Sequence, residues 1–349
     1  MNLRKIFGVC LLFSLLANYS SLHAFETDQY NLPPVPLADI GDEVSEYVED
    51  NIRIAIGKIN AEIAVRQLCV NGSTRSGDCG SPERESKQLA YLRSDEAVAR
   101  EVFKRLGDGI IPFTRSQTWL NSHNFRSQPA RYQTGYGRSI FVWVPTNYLT
   151  ISPTVNMYGS SFGTDKIAHI FQQGFEYYRI RNEALGKGET DAAAERKAVK
   201  NGVSSEKTYF GTFVSGVFSN ADLAANYAGI MFYRGLTETI RFGDVVRIPT
   251  VALTDGQWKF IEASRDMLLR PFISDHLNEA LNPSLFIPGL RSSIRGIVKK
   301  QSCRQWRSLS PGRTKLEYAN YSRELSRWYG MDYGFRESTK FITIANTCF

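Results

Sequence analysis

The stretch Ala221 to Tyr233 constrains this chain more than any other. It is apolar almost all round, and its polar side chains are Asp222, Asn226, Tyr227 and Tyr233. A helix of that composition is buried on nearly every side, so its acid and its amide need partners inside the protein. Asp222, Asn226, Gly229 and Tyr233 share one face at about 100° per residue, and the small residues around them permit a close neighbour. An ionised Asp222 buried there calls for a cation or several donors.

The nearest cations in sequence are Lys166 and His169, in Asp165-Lys166-Ile167-Ala168-His169. The spacing predicts a helix over Thr164–Arg181. On it Asp165, His169, Gln172 and Glu176 fall within a sector of roughly 60°, and Ile167, Ile170, Phe171, Gly174 and Tyr178 lie opposite. We expect the two helices to pack with Asp222 and Asn226 facing His169 or Lys166. Three readings are open. In one, the residues form a structural polar knot. In another, His169 is a general base oriented by Asp165 or Asp222 and Glu176 is an acid. In the third, Lys166, Asn226 and Glu176 belong to a binding pocket for a small polar ligand. The chain has no His-Glu-x-x-His helix. No cofactor and no metal is expected; a metal held by His169, Asp165 and Asp222 is the minor alternative.

Asp-Lys-x-x-His on one helix, then Asp-x-x-Ala-Asn-x-x-Gly on another, resembles the pattern of the VanZ-like envelope proteins. Here it is carried by Asp165, Lys166 and His169, then Asp222, Ala225, Asn226 and Gly229, over about seventy residues. The resemblance implies a helical core and an envelope setting, and no established reaction. Members are usually membrane-embedded, whereas the apolar stretch here is too short to span a bilayer, which takes about twenty residues.

Compartment is read from the N-terminus. Arg4 and Lys5 precede the apolar run Ile6–Leu16, and Leu22-His23-Ala24 offers a cleavage site before Phe25, so residues 1–24 read as a secretory signal. Its removal takes the formal net charge from +7 to +5. The expected location is periplasmic or secreted, and that mild balance suits anionic envelope surfaces and not nucleic acid. Cys69, Cys79, Cys303 and Cys348 remain, an even number in an oxidising compartment. We favour the pairs Cys69–Cys79 and Cys303–Cys348; zinc is the rival, with unsuitable spacings.

The expected fold is mainly α: an irregular helical domain over 39–349 with a few short strands and two disulfides. Residues 25–38, with Pro33, Pro34 and Pro36, read as an extended lead-in. Asp39–Leu68 and Pro82–Leu106 read as a helical hairpin, and a charged helix is expected over Thr190–Lys200. Ser139 to Val144 reads as a strand, as does part of Val245–Leu253, and Gly256–Leu281 as a helix interrupted at Pro271. The C-terminal region 285–349 ends in the strand-like run Phe341–Ile344. No later stretch reaches transmembrane length.

Residues 291–315 hold Arg291, Arg295, Lys299, Lys300, Arg304, Arg307, Arg313 and Lys315 and no acid. Arg291, Arg295 and Lys299 share a helical face, a candidate site for anionic lipid or glycan. The leading expectation is therefore an envelope protein that binds or scaffolds an anionic component. The alternative is a hydrolase or transferase acting on an envelope lipid or glycan through His169 and Asp222. Oligomeric state is not legible in the sequence.

Overall fold

The computed structural model describes residues 26–72, 79–109, 114–142, 151–208, 211–212, 215–309, 314–328, 330–338 and 340–349. The expected signal at 1–24 lies outside them. The chain is 56% helical, with twelve α-helices among the described residues and a few short strands. The mainly α class therefore holds.

Val44, Val48, Ile52, Ile59 and Ile63 recur at helical spacing, and their burial defines one face of α1 (Gly41–Val70). The partner expected as one helix is two, α2 (Pro82–Leu92) and α3 (Asp95–Leu106). Ser94 restarts it: its hydroxyl accepts the Ala97 N–H, and Asp95 and Glu96 favour the new N-terminus. Both helices pack on α1. Cys69 near the end of α1 and Cys79 before α2 stand at disulfide distance, Cα–Cα 5.6 Å.

A short α4 (Arg115–Ser122) follows, then a hairpin of β1 (Thr154–Met157) and β2 (Ser160–Gly163). Tyr158 and Gly159 make its two-residue turn, both at positive φ (52° and 82°). Ser139–Val142, expected as part of a strand, form a turn, and Trp143 and Val144 lie outside the described residues.

The central helix runs without a break through α5 (Thr164–Ala168), a π-helical turn (His169–Gln173) and α6 (Gly174–Gly186). After α7 (Asp191–Glu206) and β3 (Val217–Phe218) comes the apolar helix α8 (Asn220–Arg234). Ser219 caps α8, its hydroxyl accepting the Asp222 N–H at 3.0 Å. The π turn and α6 cross α8 at bare backbone. A methyl group on Gly174 would collide with the Gly229 backbone, and one on Gly229 with the Ile170 carbonyl.

Two hairpins follow, β4 (Ile240–Phe242) with β5 (Val245–Arg247), and β6 (Val251–Thr254) with β7 (Gln257–Phe260). The helix expected over Gly256–Leu281 is absent. Asp255 and Gly256, both at positive φ, turn β6 into β7, and the chain continues through 3₁₀ turns at Glu262–Met267, Arg270–Phe272 and Asp275–Leu277. Asp-Gly between strand formers outweighs the helical pattern there.

β8 (Leu285–Phe286) pairs antiparallel with β3. The C-terminal region is helical, in α9 (Arg291–Gln301), α10 (Cys303–Leu309), α11 (Lys315–Glu324) and α12 (Ile344–Cys348). The run Phe341–Ile344 is not a strand: Ile342 makes one bridge to Ser284 and Ile344 enters α12. Cys303 and Cys348 are at disulfide distance, Cα–Cα 5.0 Å, joining α10 to α12.

A large apolar cluster surrounds α1, α6 and α8, and a smaller one gathers α9 to α12. The segments carrying Glu26, Ser219 and Glu279 continue into the smaller cluster through Tyr30, Val217 and Ala280. No helix among the described residues is long and apolar enough to cross a membrane.

Candidate functional site

Lys166 is at the centre, with none of its surface exposed. Its Nζ lies 2.5 Å from Asp165 Oδ2, 2.5 Å from Asp222 Oδ1 and 2.6 Å from Glu279 Oε1. An ammonium so deeply buried needs such a cage, since each carboxylate replaces part of its lost hydration. Burial alone would lower the Lys166 pKa; Asp165, Asp222, Glu279 and Glu26 outweigh it and hold the ammonium well above its ordinary value.

Hydroxyl groups complete the cage. Thr27 donates to Asp165 Oδ1 (2.5 Å), Ser219 to Glu279 Oε1 (2.7 Å) and Ser284 to Glu279 Oε2 (2.6 Å). The Ser219 N–H donates to Glu206 Oε1 at 2.9 Å, bringing a further buried acid alongside. Gly163 is required beside Asp165, because a Cβ there would strike the Asp165 carboxylate and Thr27.

His169 Nδ1 lies 2.8 Å from Asn226 Oδ1, and Nε2 lies 3.5 Å from Asp222 Oδ2. The expectation that the two helices pack with Asp222 and Asn226 facing Lys166 and His169 is thus met in geometry. Burial pushes the Asp222 carboxyl up, but His169 and Lys166 outweigh it and hold it below its ordinary range. Glu26, Glu206 and Glu279 go the other way. Burial raises all three, and the charge of Asp222 adds to it.

The arrangement sets an imidazole between an amide and a carboxylate, the layout of an oriented base. It is also closed: His169 is 4% exposed and Asp222 3%. Four of the surface clefts among the described residues are formed by other residues. One is lined by Asp42, Glu46, Glu49, Asp50, Tyr158 and Arg265; the others lie along α11, beside Arg84, and between Pro283 and Asn346.

Glu176 does not join the cluster. The π turn adds a residue to the helical register and rotates the residues beyond it by roughly 100°, so Glu176 pairs at the surface with Arg179 (2.7 Å). In the basic region, Arg291 Nε donates to the Phe286 carbonyl (2.7 Å) and Arg295 Nη2 to the Phe341 carbonyl (3.0 Å). Those two are half-buried anchors, whereas Lys299, Lys300 and Arg304 are exposed. His276 stacks on Trp328, ring centroids 4.4 Å apart. His123 is half-buried against Trp119 and 2.7 Å from Glu43.

Sequence reasoning missed Glu26, Thr27, Glu206 and Glu279 as members. Glu26 and Thr27 sit in the extended lead-in, and Glu206 lies beyond the expected end of its helix at Lys200. No local pattern marks any of them; a surplus of acids near Ser219 and Ser284 becomes visible only in three dimensions. No protein-family model, curated protein or solved structure matches this chain.

Proposed function

We propose that this is an exported cell-envelope protein that docks on an anionic lipid surface through its C-terminal helices, with the Lys166 cluster as its rigid frame. What carries the reading is the set of exposed side chains on the C-terminal helices. Lys299, Lys300 and Arg304 are exposed and make no ion pair among the described residues. Near them in sequence Leu309 and Leu316 are 62% and 65% exposed. Exposed cations and protruding leucines on the same run of helices suit lipid head groups over an acidic glycan, which offers nothing apolar for a leucine to enter. The Asp-Lys-x-x-His resemblance to VanZ-like proteins agrees with the envelope setting.

The rival reading is a hydrolase or transferase acting on an envelope lipid or glycan, with His169 as base and Asp222 orienting it. The spacing of His169, Asn226 and Asp222 favours it. Its substrate would need a route to an imidazole that is 4% exposed.

The test is flotation with vesicles of neutral phospholipid alone or with added phosphatidylglycerol. The protein should bind the anionic vesicles and release with salt. Replacing Lys299, Lys300 and Arg304 by Gln should weaken binding on the order of a hundredfold, from about 1 kcal/mol per cation at an anionic surface. Equal binding to neutral vesicles, or retention on peptidoglycan with none on lipid, would overturn the reading.

A further inference from the structure

Five carboxyl groups, from Glu26, Asp165, Glu206, Asp222 and Glu279, are buried around Lys166 and His169. The ammonium is fully engaged by Asp165, Asp222 and Glu279. Glu26 is left over. It is 3% exposed, and its Oε2 is shielded from solvent with no hydrogen-bond partner among the described residues. It is nonetheless aimed inward: one oxygen each from Glu26, Asp165 and Glu279 lie within 4.8 Å of one another. Lys166 bonds Asp165 and Glu279 but makes no ion pair with Glu26 among the described residues, so five buried carboxyl groups around one ammonium and one imidazole leave the cluster short of positive charge.

We propose that Glu26, Asp165 and Glu279 hold a calcium-sized divalent cation. The donor set is oxygen alone, which selects a hard cation over zinc or copper. Calcium lies about 2.3–2.6 Å from each oxygen, so ligand atoms up to about 5 Å apart fit around it. Thr27 and Ser284, bonded to Asp165 and Glu279, hold those carboxylates in position as outer-sphere partners. The ligands differ from the His169, Asp165 and Asp222 set suggested by sequence in taking Glu26 and Glu279 for His169 and Asp222, and the cation would share Asp165 and Glu279 with the Lys166 ammonium. The site would join the lead-in to the central helix and to the 275–284 segment, so the cation would tie three distant parts of the chain.

The experiment uses the mature protein stripped with chelator and titrated with calcium chloride, followed by calorimetry and by thermal melting. Calcium should raise Tm progressively with its concentration, as a ligand of the folded state does. Glu26→Gln, close to isosteric, should fold and keep its chelator-treated Tm while binding calcium at least about tenfold more weakly, since changes to outer-sphere partners alone cost that much. Asp165→Asn removes a second ligand and should do the same by calorimetry if it folds. Wild type and Glu26→Gln responding equally would place any calcium elsewhere, such as the acid-lined cleft at Asp42 and Glu46, and overturn the proposal. So would the absence of any calcium effect on wild type; Glu26 would then be a neutral buried acid.

Discussion

A lysine with no surface in water is stable only where carboxylates replace its hydration, and Lys166 has three within 2.6 Å. That much was half legible in sequence. Asp222 on an apolar helix demanded a cation, and Lys166 and His169 were the near ones. The acids from elsewhere were not legible, because a Glu in an extended segment or past a helix end carries no local mark of burial. His276 shows a titration that can be checked. Burial beside Trp328 pushes its imidazole down to about 4, below the ordinary value of about 6.5. Between those values the unfolded chain binds the extra proton, so the His276 contribution is full above about pH 6.5 and is lost as pH falls towards 4. We expect a loss of roughly 2–3 kcal/mol from this group, read by urea unfolding at pH 7 and pH 4. In His276→Phe the difference between the two pH values should shrink by that amount; an unchanged difference would contradict it.

Among the elements, the helices with strong apolar periodicity were readable to within a few residues, as α1 and α8 illustrate. The errors fall where a local signal outweighs the period. Ser94 divides one expected helix into two, and Asp255-Gly256 replaces another with a hairpin. The π turn at His169–Gln173 is the consequential one. It keeps Asp165 and His169 at the cluster while turning Glu176 to the surface, a register change that no uniform helical wheel reproduces. The crossing of this helix with α8 rests on Gly174 and Gly229 in backbone contact. Gly229→Ala should therefore cost about 1–3 kcal/mol of unfolding free energy despite alanine's better helix propensity. A gain in stability from that change would mean the two helices do not meet there.

In the molecule as a whole, the cluster joins segments that are remote in sequence. Thr27 reaches Asp165, Gln29 reaches Glu279, and Lys166 reaches both α8 and the turn after His276. A single polar centre thus holds the lead-in, the central helices and the segment leading into β8. The two cysteine pairs were legible because their number and spacing left few choices; this three-way junction was not, since it depends on how distant segments return. The division of labour proposed here, a closed frame inside and a lipid-facing patch outside, requires the frame to be structural. The direct measurement is urea unfolding of Lys166→Met and Asp222→Asn beside wild type, in chelator at neutral pH. Each change breaks a buried charge pair and should lower stability by about 3–5 kcal/mol. Stability unchanged or raised in both would contradict the account, because residues kept at a cost to the fold are those held for binding or catalysis.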